Sequence, residues 1–117
     1  MTADEVRRVA LALPGSYLAV VRDVQKVRVK QYVYLAFDDD DLGMGCGFPK
    51  EERDAAIAAE PDKFGMPAPR DLRYNWIEVR LEALDSAEMV ELVTDAWRMC
   101  VSKRTAAAYD AEVAGGN

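Results

Sequence analysis

The chain contains no histidine. Without an imidazole, neither a Ser-His-Asp nor a Cys-His nucleophile can be assembled, and an HExxH zinc site is excluded with them. Any group exchanging protons near neutral pH must be a carboxylate, lysine or cysteine moved far from its ordinary pKa. The expectation is a protein that is not an enzyme and that holds no metal and no cofactor. Cysteine is scarce as well: Cys46 and Cys100 stand far apart and in no CxxC arrangement, which predicts reduced thiols. Long apolar runs are missing. Val9 to Leu13 and Tyr32 to Phe37 fall well short of the ~20 residues a membrane-spanning helix needs. The N-terminus has no basic segment followed by an apolar one, so no secretory signal is expected. These features predict a cytoplasmic protein with no membrane partner. Positive charge is the minority, 15 Lys and Arg against 21 Asp and Glu for a net charge of −6. Such a field repels nucleic acid at long range, so any binding of that kind must come from a local basic patch.

What is present fits one domain. A chain of 117 residues has room for one core that needs no disulfide or metal to hold it. Thr2 and Glu5 form a capping-box pair in front of an apolar stripe of Val6, Val9, Ala10 and Leu13, and Pro14-Gly15 ends that helix. Tyr17 to Val24 reads as an irregular stretch or a short edge strand. From Gln25 to Phe37 the alternation is strict, with Val27, Val29, Val33, Leu35 and Phe37 on one side and Lys26, Arg28, Lys30, Tyr32 and Tyr34 on the other. Lys30-Gln31 is the expected turn of a hairpin. Asp38 to Asp41 is the next reversal, and Leu42 to Phe48 a strand whose glycines, Gly43, Gly45 and Gly47, leave one face as bare backbone on which something packs closely. A helix follows from Pro49 to about Glu60, then a long loop from Asp62 to Arg73. Asn75 to Leu81 is a strand with Ile77, Val79 and Leu81 inward. Asp85 caps a helix with the stripe Met89, Leu92, Val93, Ala96, Trp97 and Cys100, and a last helix runs from Lys103 to about Glu112. This order predicts an α+β fold, a mostly antiparallel curved sheet with helices packed on one face.

The candidate functional residues lie on the hairpin. Lys26, Arg28 and Lys30 alternate along one face and Tyr32 and Tyr34 continue it. Cations that meet phosphates beside aromatic rings that stack on bases are the chemistry of sheet-based single-strand binders. Trp76, with Tyr74 and Arg80, extends this face if its strand lies alongside. The competing reading is a solvated sheet face, where Lys, Arg and Tyr are common. Lys103 and Arg104 form the most concentrated basic spot of the C-terminal half, and also read as favourable charge at a helix end. Counting from Asp38, Gly43 falls sixth as in an EF-hand, but Pro49 stands twelfth where the bidentate Glu belongs, so the acidic run reads as a turn. The glycines lack the GK[ST] ending of a phosphate loop.

Several segments resemble the MmcQ/YjbR family: Ala3-Asp4-Glu5-Val6-Arg7-Arg8-Val9-Ala10-Leu11-Ala12-Leu13-Pro14, Pro49-Lys50-Glu51-Glu52-Arg53, Trp76-Ile77-Glu78-Val79-Arg80-Leu81, and Asp95-Ala96-Trp97-Arg98-Met99 with Ser102-Lys103-Arg104. The resemblance implies a CyaY-like α+β domain and carries the label of a predicted DNA-binding protein. It places residues 1–113 in a single domain and 114–117 in a frayed tail. This chain departs from the family at Pro67 to Tyr74, where a Pro-His or polar-aromatic stretch is usual, at Ser102 in place of Pro, and at Val20 to Gln25. The leading expectation is thus a non-enzymatic binding module with nucleic acid as the suspected ligand, DNA being one candidate partner, through Lys26, Arg28, Lys30, Tyr32, Tyr34, Trp76, Lys103 and Arg104. The alternatives are an adaptor that meets a basic protein partner with Asp38 to Asp41 and Glu51-Glu52, and a small-ligand binder under the 62–73 loop.

Overall fold

The computed structural model describes residues 1–115. Helix α1 (Ala3–Leu11) starts at the expected capping box: Glu5 N–H donates to Thr2 Oγ1 at 3.1 Å and Thr2 N–H to Glu5 Oε1 at 3.1 Å. Four strands follow, β1 (Ser16–Val21), β2 (Val24–Val29), β3 (Tyr32–Phe37) and β4 (Gly43–Gly47), then helix α2 (Lys50–Ala59), a two-residue strand β5 (Phe64–Gly65), β6 (Trp76–Arg80), α3 (Ser86–Arg98) and α4 (Lys103–Gly115). Every pairing is antiparallel and the strand order is β1-β2-β3-β4-β6-β5. The fold is the α+β architecture expected from the element order.

One face of the sheet carries the core. Val27, Leu35, Met44, Cys46, Ile77 and Val79 project from the strands toward Val6 and Ala10 of α1 and Met89, Val93, Ala96 and Trp97 of α3, all buried. Trp97 is wholly enclosed, and its indole N–H donates to the Pro14 carbonyl at 2.9 Å, so the largest core side chain leaves no polar atom unpaired. Burial raises the Cys46 thiol to about 12, which makes it inert; Cys46 and Cys100 are both free.

The hairpin departs from strict alternation. Lys26 pairs with Ala36 and Val27 with Leu35, but Arg28 pairs with Val33 and Val29 with Tyr32. One residue of β3, Tyr34, is therefore extra, a β-bulge that reverses the parity of everything before it on that strand. Residues directly opposite on antiparallel strands share a face. Tyr32 consequently lies with Val29, and Val33 moves to the face of Lys26 and Arg28. Tyr34 turns inward and is fully buried, its hydroxyl 2.6 Å from Ser16 Oγ and donating to the Ala10 carbonyl at 3.2 Å. The expected cationic-aromatic face thus loses both tyrosines and gains a valine.

Three turns use the left-handed region without glycine. Arg22 and Asp23 take φ of 52° and 66° between β1 and β2, Lys30 takes 55° between β2 and β3, and Asp41 takes 58° between β3 and β4. The two-residue loops at 22–23 and 30–31 demand this conformation, which matches the twist of the strands even where the residues do not favour it. The Tyr17 hydroxyl donates to the Lys30 carbonyl and holds that turn. The stretch from Asp62 to Arg73, expected as a plain loop, contains β5 and a 3₁₀ turn at Pro69–Asp71. At the C-terminus α4 includes Ala114 and Gly115, so half of the expected tail is helical; Gly116 and Asn117 lie outside the described residues.

Arg53 of α2 holds the segment before β6 in place. Its guanidinium, 7% exposed, donates to three carbonyls: Leu72 at 2.9 Å, Trp76 at 3.0 Å and Tyr74 at 3.2 Å. The Lys50 N–H adds a bond to Asn75 Oδ1 at 3.0 Å and Lys50 Nζ one to the Arg73 carbonyl at 3.1 Å. A lysine at position 53 lacks the planar fork and reaches one of those carbonyls at most. Arg53→Lys is expected to cost about 2–4 kcal/mol, read as a lower denaturant midpoint with an unchanged m-value.

Candidate functional site: a groove on the open face of the sheet

The helices cover one face of the sheet, and the opposite face carries a groove of about 760 Å³. Its floor follows from the register. Lys26 of β2, Ala36 of β3, Gly45 of β4 and Glu78 of β6 are successive cross-strand partners and form a single row. The two central positions are a methyl group and a hydrogen, so the floor is nearly bare backbone between two charged walls. Three strand spacings separate those walls, about 14 Å between backbones. Glu78 and Lys26 are too far apart to pair, and neither has an ion-pair or hydrogen-bond partner of its own among the described residues.

Trp76 closes part of this floor. A Cβ on Gly45 would sit 2.3 Å from Trp76 Nε1 and 2.6 Å from Cε2 and Cζ2, so the indole lies directly on the glycine. The close packing anticipated over the glycine strand is this side chain at Gly45, and at Gly43 the carboxylate of Asp38, whose Oδ2 stands 2.5 Å from where a Cβ would be. Tyr74, Asn75, Arg70 and Asp71 form the upper rim, held by the Arg53 bonds beneath. Arg73 stacks on the Tyr74 ring at 4.8 Å and donates to its hydroxyl at 2.8 Å. Gly45→Ala forces the indole off its seat. It is expected to destabilise by about 1–3 kcal/mol and to shift the Trp76 emission to the red, as the ring becomes wetter.

The groove has an unusual carboxyl group. Burial, followed by the neighbouring Asp38 and Asp71 charges, raises Glu78 from its ordinary 4.5 to about 7. Asp38 is also raised, by burial and then by Asp40 and Asp39. Beyond Glu78 and Asp38 the groove continues into a second hollow of about 510 Å³ beside Phe64, Arg80 and Glu82. Lys63 at its edge is already engaged by Glu60 and Glu88. A half-buried carboxyl titrating near neutrality accepts or releases a proton readily, but none of the described residues lining the 760 Å³ groove is a Ser, Thr or Cys that it might activate. The folded state binds the Glu78 proton more tightly than the unfolded chain does. Stability from this group is therefore full below about pH 4.5 and falls as pH rises toward 7. Glu78→Gln is expected to stabilise by about 1 kcal/mol at pH 8, a value reduced for partial exposure, and to make little difference near pH 5. Thermal melts at the two pH values read this directly.

The structure scatters the residues singled out in the sequence. Lys26, Arg28 and Trp76 share the open face. Lys30 sits at the exposed hairpin turn, Tyr32 faces the helix side at the sheet margin, and Tyr34 is in the core. Lys103 and Arg104 open α4, which docks through Tyr109 on Trp97, ring centroids 5.0 Å apart, and through Arg98 to Asp110 at 2.6 Å. They belong to the helical layer and do not meet the groove. They also stand at a helix N-terminus, where positive charge opposes the dipole, so the expected structural benefit is absent. Ser102 caps that helix, its Oγ accepting from the Thr105 N–H at 3.1 Å. Asp38 to Asp41 form a tight turn in which Leu42 N–H donates to Asp40 Oδ1 at 2.9 Å and Asp41 pairs with Arg7 at 3.0 Å. Among the described residues no group of three or more Cys, Asp or Glu is placed to hold a metal ion. Sequence reasoning missed Glu78 and Asp71, and the one available signal was that Glu78 falls on the outward face of its strand.

Fold and groove together define a small α+β scaffold whose curved antiparallel sheet is covered by helices on one face and open on the other. The YjbR family model matches residues 11–99, and the chain belongs to the YjbR family. The crystal structure of the Deinococcus radiodurans protein DR2400, with the family-model domain DUF419, is similar to it with a TM-score of 0.75 at 20% identity, over 88% of this chain and 80% of that one. That likeness establishes the fold. No curated protein matches the chain. Among the described residues no helix is long and apolar enough to cross a membrane.

Proposed function

We propose that this protein is a binding module rather than a catalyst, and that its groove takes a small planar ligand stacked on Trp76. The observation that carries the reading is the low Ala36 and Gly45 floor on which the indole lies, between charged walls, Lys26 and Glu78, that have no partners among the described residues. A sheet face that only meets water has no need of a tryptophan seated on a glycine, whereas a half-buried indole in a concavity offers roughly 1–3 kcal/mol per stacked ring. The dimensions also suit a small molecule, since ligand sites commonly fall between about 300 and 1,000 Å³. The absence of histidine throughout the chain and the lack of a Ser, Thr or Cys among the described residues lining the groove favour binding over chemistry.

Nucleic acid is the second reading, because Lys26, Arg28 and Trp76 remain on one face. Against it stand Asp38, Asp39, Asp71 and Glu78 around the same groove, which repel a polyphosphate chain, together with the loss of both hairpin tyrosines to the other face. The adaptor reading rests on an acidic run that is partly spent on Arg7.

A thermal-shift screen against planar heterocycles checks the proposal. Ligands that raise the melting temperature of the natural sequence are expected to lose at least tenfold in affinity with Trp76→Ala and to be unaffected by Lys103→Ala. If no heterocycle binds, and single-stranded DNA binds at low salt with a steep salt dependence, the second reading replaces the first.

A further inference from the structure

Resting on the groove reading, we propose that its ligand is a ring bearing two adjacent N–H donors and an anionic tail, the chemistry of a guanine nucleotide. The two ends of the cross-strand row differ in kind. At one end Glu78 presents a half-buried carboxyl with no partner among the described residues, two residues along β6 from Trp76 and on the same face. At the other end Lys26 is likewise unpaired among the described residues, and Arg28 follows two residues along β2 on the same face, just outside the groove lining.

A ring stacked on the indole extends its edge toward Glu78. A carboxylate only accepts, and its two oxygens match two parallel N–H donors. The guanine edge offers such a pair, N1–H and the 2-amino group. Adenine presents an acceptor, N1, at the equivalent place, and a carboxylate facing it leaves two lone pairs opposed. A site built to accept hydrogen bonds rejects a ligand lacking the donors far more strongly than an apolar pocket rejects a change of size. The Lys26 ammonium across the floor then answers a phosphate, and the low Ala36 position, beside the indole that covers Gly45, leaves room for the sugar. Asp38 and Asp71 flank Glu78 and Asp39 also lines the groove, so a single phosphate, unlike a polyphosphate chain, is accommodated only against Lys26 on the β2 wall.

Binding of this kind requires Glu78 in its ionised form. The charged groups that line the hollows beside it are Asp38 and Asp40 from the β3–β4 turn, Arg70 and Asp71 from the 3₁₀ turn, paired at 3.9 Å, Lys63 beside β5, and Arg80 and Glu82 at the end of β6, with no titratable side chain on the paired Gly45 or Gly65. Burial first, and then the charges of Asp38 and Asp71, hold the proton on Glu78, while Lys63 is occupied by Glu60 and Glu88. Donor-edge ligands therefore bind better above neutral pH than below it.

Isothermal titration of the full chain with guanosine 5′-monophosphate, adenosine 5′-monophosphate and guanosine tests the assignment. At pH 8 the guanine nucleotide is expected to bind at least tenfold more tightly than the adenine nucleotide, and severalfold more tightly than guanosine. Glu78→Gln is expected to erase the guanine preference and Lys26→Ala the phosphate preference, with the circular dichroism of both variants unchanged. Moving to pH 6 is expected to weaken guanine nucleotide binding severalfold in the natural sequence and not in Glu78→Gln. Equal affinity for the two nucleotides overturns this inference and leaves the ring-binding groove standing. The same holds if a heterocycle without paired donors binds while the guanine nucleotide does not. Failure of every heterocycle overturns both.

Discussion

Much of this structure depends on the burial of one tyrosine. Tyr34 is the extra residue of the bulge in β3, and its ring enters the core where α1, β1 and β3 meet. A buried hydroxyl must find partners, and this one bonds to Ser16 at the start of β1 and to the Ala10 carbonyl near the end of α1. The first helix is thereby tied to the edge hairpin. The same bulge determines which residues of the hairpin face outward. With it, Lys26 and Arg28 stand beside Val33 and Ala36 on the open side; without it, two tyrosines would occupy that surface beside the hairpin cations.

The open face is shaped by a second constraint, the absence of side-chain volume at its centre. Gly45 has no Cβ, and the Trp76 indole occupies the space one would need. Burial on the far side of the same strands is dense, with Met44, Cys46, Ile77 and Val79 all enclosed. The sheet is thus densely packed on its core side and sparsely covered on its outer side, where the indole lies over the glycine. A densely packed sheet under a sparse surface is a suitable base for a preformed site, because little ordering remains to be done when a ligand arrives. The rim depends on Arg53, whose bonds to three carbonyls order a segment with little regular structure of its own.

Electrostatics divide the groove rather than giving it one sign. Carboxylates gather around Glu78, where burial and mutual repulsion keep a proton on the chain near neutral pH, while the basic side chains stand across the floor on β2. The net charge of the whole chain, −6, describes neither end. Local potential, set by which strands are neighbours, decides what charge a ligand meets in a concave site.

How much of this could be read in advance depended on the range of the interaction. Thr2 with Glu5, Asp85 with Glu88, the apolar stripes of α1 and α3, and the alternation within β2 and β6 are local, and spacing along the chain determined them. So did the fold class, which follows from the order of elements, and the exclusion of histidine chemistry. The bulge at Tyr34 was not legible, because an inserted residue is defined by its partner strand and alternation in one strand carries no trace of it. Arg53 looked like an ordinary helix residue, since its carbonyl partners lie 19 to 23 residues away. The groove could not be foreseen either. Lys26, Ala36, Gly45 and Glu78 come from four strands, and only pairing brings them into one row. The sequence by itself determined the elements and their buried faces; the tertiary structure decided which charges, glycines and rings share the open face, because strand order and register join residues that local spacing leaves independent.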